Sequence, residues 1–299
     1  MSALNLAAAL LLSPFLLGVI TRVKARFAGR RGAPLLQPYH DLLKLFRKGS
    51  VFSRTTTWVF RAGPVVGLGT AALAALLVPM GGRAAFAFEG DVFLFAYLLA
   101  LGRFFTIAAA MDTGSAFEGM GAAREATWSA LAEPALFLSL LVLARFSGSL
   151  SLSDMLGPGL AAQWKTSGAS LVLVVAALFV VLLAENSRIP VDDPTTHLEL
   201  TMIHEVMVLD HGGPALGMIL SGAAAKLFVL GALVAHLVAP IGAGGLLLGW
   251  AVFLGAQLAI AVAIGVVESV MARLRLAQVP SLLVAACLLS AFAVVLVAR

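Results

Sequence analysis

Residues 184–213 read AENSRIPVDDPTTHLELTMIHEVMVLDHGG, and they separate two long apolar stretches of the chain. Six carboxylates, three of the chain's five histidines and one arginine fall within this stretch. Titratable side chains are costly inside a bilayer, and where they concentrate they often handle protons or bind a partner. The stretch therefore predicts a polar connection at a membrane surface that does one of these two things.

The composition around this stretch is that of an integral membrane protein. The chain has 299 residues, of which 61% are hydrophobic and 12% charged, and its mean hydropathy is +1.02. These values are outside the range of soluble domains. A bilayer core about 30 Å thick needs about 20 apolar residues per helix. Such runs occur near 3–20, 60–79, 92–111, 127–146, 169–184, 215–237, 244–267 and 279–298.

We therefore expect an all-α integral membrane protein with about eight transmembrane helices. No polar stretch is long enough to bury a core of its own, so residues 1–299 are expected to form one transmembrane domain. Fourteen of the 20 Lys and Arg residues lie in or beside four connections. By the positive-inside rule these connections are cytoplasmic and both termini lie outside. The four connections are approximately 21–59, 112–126, 185–214 and 268–278.

The high isoelectric point of about 9.9 does not indicate a nucleic-acid partner. The excess of basic residues sits in the first cytoplasmic connection, where topology and anionic lipid explain it. Within this connection, residues 37–48 combine two helical faces. One carries Leu42, Leu45 and Phe46, and the other carries charged side chains. This pattern predicts an amphipathic helix along the membrane surface.

Three ionisable residues fall well inside predicted spans, where a charge needs a partner or water. Arg103 and Glu133 lie at comparable depth in neighbouring spans, so we expect them to face one interior cavity and to pair. Lys226 lies nearer the midplane, where its charge suits a proton relay or a coupling site. The alternative for all three is a structural ion-pair network.

The histidines do not form a known hydrolytic motif. The pair His204-Glu205 would need a second histidine at position 208 to make His-Glu-x-x-His, and that residue is Val208. The spacing of seven between His197, His204 and His211 is compatible with a metal site if the segment is helical, and equally with a hydrogen-bonded proton network. A single cysteine in the whole chain excludes an internal disulfide and an all-cysteine iron–sulfur site.

Four ordered motifs resemble those of a known family. They are Gln37-Pro38 with the run 41–46, then Gly119-Met120-Gly121 with Arg124-Glu125 and Ala132-Glu133-Pro134, then residues 184–213, and finally Glu268-Ser269 through Arg275. With them the chain is similar, over nearly its whole length, to the membrane anchor subunit of respiratory complex I and of group 4 energy-converting nickel–iron hydrogenases. In complex I this is subunit 1, or the H subunit. The resemblance implies a fold like that of this complex I subunit, in the cell membrane of a prokaryote.

Departures within the long loop favour the hydrogenase branch. Complex I subunits typically read Ala-Glu-x-x-Arg-x-Pro-Phe-Asp-Leu-x-Glu-x-Glu-x-Glu. Here Val191 and Asp193 replace Phe and Leu, and Thr195 and His197 replace two glutamates. The loop looks like that of the formate-hydrogenlyase-type subunit. The turn at Arg30-Arg31-Gly32 also runs almost directly into Gln37-Pro38, without residues that shape the quinone entrance in complex I.

The resemblance implies that this chain binds no metal or cofactor and makes no bond itself. A nickel–iron centre and iron–sulfur clusters are then expected in partner subunits. Those partners are a hydrogenase-like large subunit, an iron–sulfur small subunit, a ferredoxin-like subunit and an antiporter-like membrane subunit. Redox events in the partners would shift pKa values or loops of this chain and so drive proton or sodium movement.

The resemblance also assigns roles to residues of this sequence. A proton pathway or coupling role falls to Arg103, Glu133, Glu185, Lys226 and Glu268. Docking of the hydrophilic arm falls to Asp112, Glu118, Arg124, Glu125, Arg188, Asp192, Asp193, His197, Glu199, His204, Glu205, Asp210 and His211.

Three alternatives stay open from the sequence. One is a quinone-binding subunit of a complex I-type NADH dehydrogenase. Another is a stand-alone ion transporter, which should show an internal inverted repeat that is not evident here. An intramembrane hydrolase is the weakest of the three, because no Ser/His, paired-Asp or zinc motif supports it.

Overall fold

The computed structural model describes residues 2–192, 203–239, 241 and 245–298. These ranges contain α-helices, two 3-10 turns at Glu205–Val208 and Leu276–Gln278, and no β-strand. The α-helices are α1 (Ser2–Phe27), α2 (Gln37–Phe46), α3 (Trp58–Leu77), α4 (Asp91–Asp112), α5 (Ala116–Ser147), α6 (Leu152–Met155), α7 (Leu160–Glu185), α8 (Gly213–Val238), α9 (Leu246–Val270) and α10 (Val279–Ala298).

Eight of these helices are long and apolar enough to cross a membrane, which confirms the predicted fold class and number of spans. They are α1, α3, α4, α5, α7, α8, α9 and α10. Several run beyond the apolar runs seen in the sequence. The predicted connection 112–126 is the clearest case, because α5 already begins at Ala116. This segment is rich in Ala, Glu and Arg, which are good helix formers and extend α5 past its apolar part.

The predicted amphipathic helix is present as α2, but it lies against the bundle. After α1 the chain turns back, and the Arg22 guanidinium donates to the carbonyl of Ala33. The Tyr39 hydroxyl then donates to the carbonyl of Leu11, far from the last turn of α1. On its other side α2 meets α8, where the lack of a side chain at Gly217 leaves room for the ring of Phe46. The helix is thus a wedge between α1 and α8.

Helix α8 is the centre of the bundle. It contacts α1, α2, α3, α7 and α9, and it is the most buried of the spanning helices. Small residues permit this packing, since a Cβ at Gly222 would come within 3.2 Å of the Leu68 Cα in α3. Close approach through small residues is the usual way for helices to pack in a membrane.

The two ends of the bundle differ in charge. Lys24 near the end of α1 and Arg188 just after α7 both reach Glu268 near the end of α9, so these three helices finish at the same end. We call it the loop end, because the connection from α7 to α8 lies there. The opposite end, with the connections that precede α4, α7 and α9, is called the far end.

Candidate functional site

A buried guanidinium lies among three carboxylates in the interior of the bundle. Arg103 in α4 forms ion pairs with Glu133 and Glu125 of α5 and with Glu185 at the end of α7. Its Nη2 is 2.5 Å from Glu185 Oε1, and its Nε is 3.6 Å from Glu125 Oε1. Only 9% of the Arg103 side chain is exposed. The predicted pairing of Arg103 with Glu133 is therefore present, and two further carboxylates join it.

Two more basic groups complete this arrangement. Lys226 Nζ of α8 is 3.5 Å from Glu185 Oε2. His204 Nε2, carried by the α7–α8 connection, is 3.3 Å from Glu125 Oε2. The charged cluster, as we call it, consists of Arg103, Glu125, Glu133, Glu185, Lys226 and His204.

The charges of this cluster do not balance without a proton. Three carboxylates face two fixed cations, so the cluster carries one net negative charge when His204 is neutral. One proton, on His204 or on a carboxylate, makes the cluster neutral. An uncompensated buried charge is strongly unfavourable, so this formal excess of one negative charge is a distinctive feature of the cluster.

Four members of the charged cluster line a cavity of about 560 Å³, namely Arg103, Glu125, His204 and Lys226. The cavity lies between α1, α2, α3, α4, α8 and the α7–α8 connection. Apolar side chains such as Leu17, Leu42 and Leu220 cover one part of its wall, and Arg103 and Lys226 belong to another part. A space with both kinds of lining can hold water next to the charges, or an amphipathic molecule.

Ion pairs and a backbone hydrogen bond hold the α7–α8 connection against the end of α9. The Glu268 side chain is fully buried, with Lys24 Nζ 2.9 Å from its Oε2 and Arg188 Nη1 3.4 Å from its Oε1. Burial lowers the pKa of Arg188, and the Glu268 carboxylate opposes that shift. The backbone amide of Leu274 also donates to the carbonyl of Pro190 at 2.9 Å. Glu268 thus ties three segments together at the loop end, and it lines the same cavity as Arg103, Glu125 and Lys226.

A second buried carboxylate holds the same connection. Asp192 pairs with Arg273 at 2.9 Å, and it accepts hydrogen bonds from the backbone amides of Ile203 and His204 at 3.2 and 3.3 Å. It therefore places His204 next to Glu125. The predicted docking residues Asp193, His197 and Glu199 lie outside the described residues.

Other predicted docking residues hold helix ends. The Asp112 carboxylate accepts from the backbone amides of Thr57 at 2.7 Å and Phe60 at 3.2 Å, and so caps α3. Glu118 is 1% exposed and accepts from the backbone amide of Asp210. A side chain buried in this chain does not touch another subunit directly, and the contact that the structure gives Glu118 is with the loop at Asp210.

The remaining predicted residues differ in exposure. Glu205 lines the cavity, Asp210 is exposed, and an Arg124 Nη atom lies 3.0 Å from the sulfur of Met120. The ring of His211 is buried and stands edge-on to Phe60, with centroids 3.9 Å apart. Burial lowers its pKa to about 4, so the ring is neutral at pH 7.

His204 and His211 have separate surroundings, and only a short 3-10 turn lies between them. No set of three His, Cys, Asp or Glu side chains is arranged to hold a metal ion in the part of the chain that the structure describes. Sequence reasoning missed Lys24 and Arg273, whose partners are both buried acids. The positive-inside rule already accounted for these two bases, so nothing in the sequence marked them as paired.

Several known proteins are similar to this chain. The family model described as NADH dehydrogenase matches residues 1–299. Formate hydrogenlyase subunit 4 of Escherichia coli K12 is 33% identical over 278 residues, which cover 90% of this chain and 88% of that protein. Hydrogenase-4 component C of the same organism is 34% identical over 234 residues, 78% of this chain and 73% of that protein.

Two further relatives extend the comparison. The H subunit of the NADH-quinone oxidoreductase of Rubrobacter xylanophilus is 35% identical over 202 residues, 66% of this chain and 60% of that protein. A chain in the structure of the membrane-bound sulfane sulfur reductase, an archaeal respiratory membrane complex, superimposes with a TM-score of 0.84 at 24% identity, covering 99% of this chain and 98% of that one. The latter match shows a shared fold.

The match to the whole length of the family model, together with relatives that are at least 33% identical over most of both chains, settles the family. The chain belongs to the NADH dehydrogenase family of membrane subunits, in which its relatives are components of hydrogenase and respiratory complexes.

Proposed function

We propose that the chain is the membrane anchor and coupling subunit of a hydrogenase complex of the formate hydrogenlyase kind, in the cell membrane of a prokaryote. The longer matches to the two hydrogenase components support this assignment over complex I. The loop end faces the cytoplasm and both termini lie outside, because the basic residues concentrate at that end. A nickel–iron large subunit, an iron–sulfur small subunit and a ferredoxin-like subunit dock there and carry the metal centres.

The single observation that carries this proposal is the charged cluster, in which three carboxylates face two fixed cations and one histidine. A group of titratable side chains inside the bundle whose formal charges leave one negative charge uncompensated is a proton-loading site. Glu133 gives it a lateral opening, since 41% of that side chain is exposed midway along α5. An exposed carboxylate at this depth is costly in lipid. We therefore expect an antiporter-like membrane subunit to cover Glu133 and to exchange ions with the cluster.

The α7–α8 connection provides the link to the redox partners. His204 is the one cluster member on this connection, and Asp192 holds its backbone while Glu125 faces its ring. A movement of the docked arm that shifts this connection would separate His204 from Glu125. This change in distance would make the cluster release or bind its proton. In this way an electron-transfer event at the loop end drives ion movement in the membrane.

The first test is the composition of the native complex. The chain is purified from its own membrane in mild detergent, its partners are identified by mass spectrometry, and iron, nickel and quinone are assayed. Iron–sulfur and nickel–iron subunits together with an antiporter-like protein and no quinone are expected. Isolation without partners would contradict the proposal and favour a stand-alone ion transporter.

The second test separates coupling from assembly. Glu185→Gln removes one carboxylate of the cluster, and it is expected to keep the hydrogen-evolving activity of the complex while abolishing ion translocation in reconstituted vesicles. Glu89→Gln is the matched control, because Glu89 is an exposed carboxylate at the far end that bonds Ser149 at 2.9 Å. If both variants translocate ions equally well, the charged cluster is not part of the coupling route.

A second candidate function rests on the cavity. Its volume of about 560 Å³ and its apolar wall beside charged groups suit a quinone-type ligand. In that case electrons would pass to a diffusible quinone. Extraction of quinone from the purified complex, and turnover with a short-chain quinone, would favour this function. Leu42→Trp, which fills the cavity wall, should then block turnover with quinone and leave hydrogen evolution unchanged.

A further inference from the structure

A line of buried polar side chains continues from the cavity toward the far end, along the seam where α1, α8 and α9 meet. The cavity lining includes Pro14 and Leu227. The residues next to these two, Ser13 and Phe228, begin the seam. None of the polar groups along it belongs to the charged cluster.

Helix α1 contributes two of these groups. Asn5, Ala9, Ser13 and Ile20 recur at helical spacing and are all buried, which defines the face of α1 that packs on its neighbours. Asn5 and Ser13 are each 1% exposed. Asn5 Nδ2 and Ser13 Oγ have no hydrogen-bond partner among the residues that the structure describes.

Helix α9 places an amide at the same depth as Ser13. The two helices run in the same direction, and a Cβ at Gly265 would lie 2.8 Å from the Cβ of Val23. Gln257 lies eight residues before Gly265 and Ser13 lies ten residues before Val23, so the two residues are at similar depth in the bundle. Gln257 is 1% exposed, its Nε2 donates to the Phe228 carbonyl at 2.8 Å, and its Oε1 has no partner within the described ranges.

Helix α8 places a histidine nearer the far end. His236 is 5% exposed, and its Nδ1 lies 2.8 Å from the carbonyl of Ala232. A carbonyl only accepts, so Nδ1 carries the hydrogen and Nε2 presents a lone pair. That lone pair has no partner in the described part of the chain. His236 lines a small cavity of about 130 Å³ at the far end, together with Pro158 and Trp164.

An aromatic ring divides the seam into two parts. Phe253 is fully buried one turn from Gln257, and its ring centroid is 5.7 Å from those of His236 and Phe228. The indole of Trp250 packs on its other side at 5.8 Å, and Trp250 Nε1 is also without a partner among the described residues. Phe253 therefore stands between the amide and the imidazole.

Buried polar atoms are nearly always paired, and where protein groups do not pair them, ordered water does. The unpaired atoms here include acceptors at Gln257 and His236 and donors at Asn5 and Trp250, so bridging waters can satisfy both kinds. From Lys226 to His236 the seam covers about 15 Å at 1.5 Å per residue.

We infer that this seam is a hydrated proton path from the charged cluster to the far face, interrupted by Phe253. The inference rests on the proposed coupling function, because the cluster supplies the proton. Waters next to Ser13 and Gln257 take a proton from the cavity, and waters next to His236 release it at the far face. Phe253 keeps the two groups of waters apart until its ring moves, so the resting protein does not leak.

The test uses the intact complex in vesicles and measures protons moved per hydrogen evolved. Gln257→Leu keeps the size of the side chain and removes its polar atoms, and it is expected to lower this ratio at least about twofold with hydrogen evolution unchanged. Ser290→Ala is the control, because Ser290 is a buried serine whose hydroxyl bonds only its own helix, to the Ala286 carbonyl at 3.1 Å. Phe253→Ala should raise the passive proton leak of resting vesicles several-fold.

A map of the complex that reveals ordered water checks the hydration directly, and it does not depend on any variant folding. Water bridging Ser13 Oγ and Gln257 Oε1 is expected, and a dry seam overturns the inference. If the Gln257→Leu complex translocates protons normally, the proposed path is wrong, but the proposed function still stands. A parent complex that moves no ions refutes the proposed function, and the path with it.

Discussion

Replacing Arg103 by methionine should be the most damaging single substitution in the membrane interior. Methionine keeps much of the length of the side chain but leaves Glu125, Glu133 and Glu185 without their shared cation. Two unit charges about 4 Å apart interact by about 4 kcal/mol at an effective dielectric constant of about 20. Removing one partner of a buried ion pair costs about 3–5 kcal/mol, because the other charge stays buried and unpaired. Lys226 still lies 3.5 Å from Glu185, so we expect a loss near the lower limit, about 3 kcal/mol.

The assay is equilibrium unfolding of the purified chain in mixed micelles, followed by tryptophan fluorescence. Arg83→Met is the matched control, because Arg83 forms an ion pair at 3.5 Å with Asp154 while 82% of its side chain is exposed. Exposed pairs contribute little, so this variant should unfold like the parent.

A double variant tests the cause of the loss. If unpaired carboxylates destabilise Arg103→Met, adding Glu125→Gln should recover part of the stability, with a coupling energy of at least about 1 kcal/mol, because Glu125 is buried and pairs with Arg103. Equal stability of Arg103→Met and Arg83→Met would refute the reasoning. So would strictly additive effects in the double variant, since these would mean that the carboxylates do not depend on Arg103.

Three further outcomes are expected. Asp112→Ala should cost about 1 kcal/mol because the backbone amides of Thr57 and Phe60 at the start of α3 lose their acceptor, and the same unfolding assay should find Asp112→Asn closer to the parent. Burial lowers the pKa of His211 to about 4, while the unfolded chain takes up a proton below pH 6.5. Stability should therefore fall as the pH drops from 6.5 toward 4, and His211→Gln should weaken this dependence over the same pH range. An unchanged slope would assign the dependence to other groups. Gly265→Ala should cost about 1–3 kcal/mol by overpacking against Val23, whose Cβ would be 2.8 Å from the new methyl group. Gly255→Ala on the same helix meets nothing within 4 Å and should be neutral or stabilising.

Much of the fold was predictable because spanning a bilayer imposes a length and an apolar composition on each helix. The eight predicted spans correspond to eight observed helices. Their ends were less accurate, because hydropathy does not say where a helix stops. The polar start of α5 at Ala116 is helical, although hydropathy alone predicts a loop there.

The site was predictable in part. Arg103 and Glu133 stood out because each is a charge inside an apolar span, and depth alone suggested that they pair. Glu125 gave no such signal, since its own sequence neighbourhood is polar, and it was predicted to dock a partner. In the structure it is buried and faces Arg103 and His204. Its membership of the cluster follows from the packing of α4, α5 and the α7–α8 connection.

The sequence by itself determined that this chain crosses a membrane about eight times, that its titratable groups concentrate at one end, and which family its motifs resemble. These properties depend on composition, spacing and local pattern, because hydrophobic length and charge decide how a helix inserts into a bilayer. Only the tertiary structure decided which charges meet. Glu268 pairs with Lys24 across 244 positions of sequence, and Arg103 pairs with Glu185 of another helix. Such pairings depend on how the helices pack, because the energy of a buried charge depends on neighbours that folding alone brings within a few ångströms.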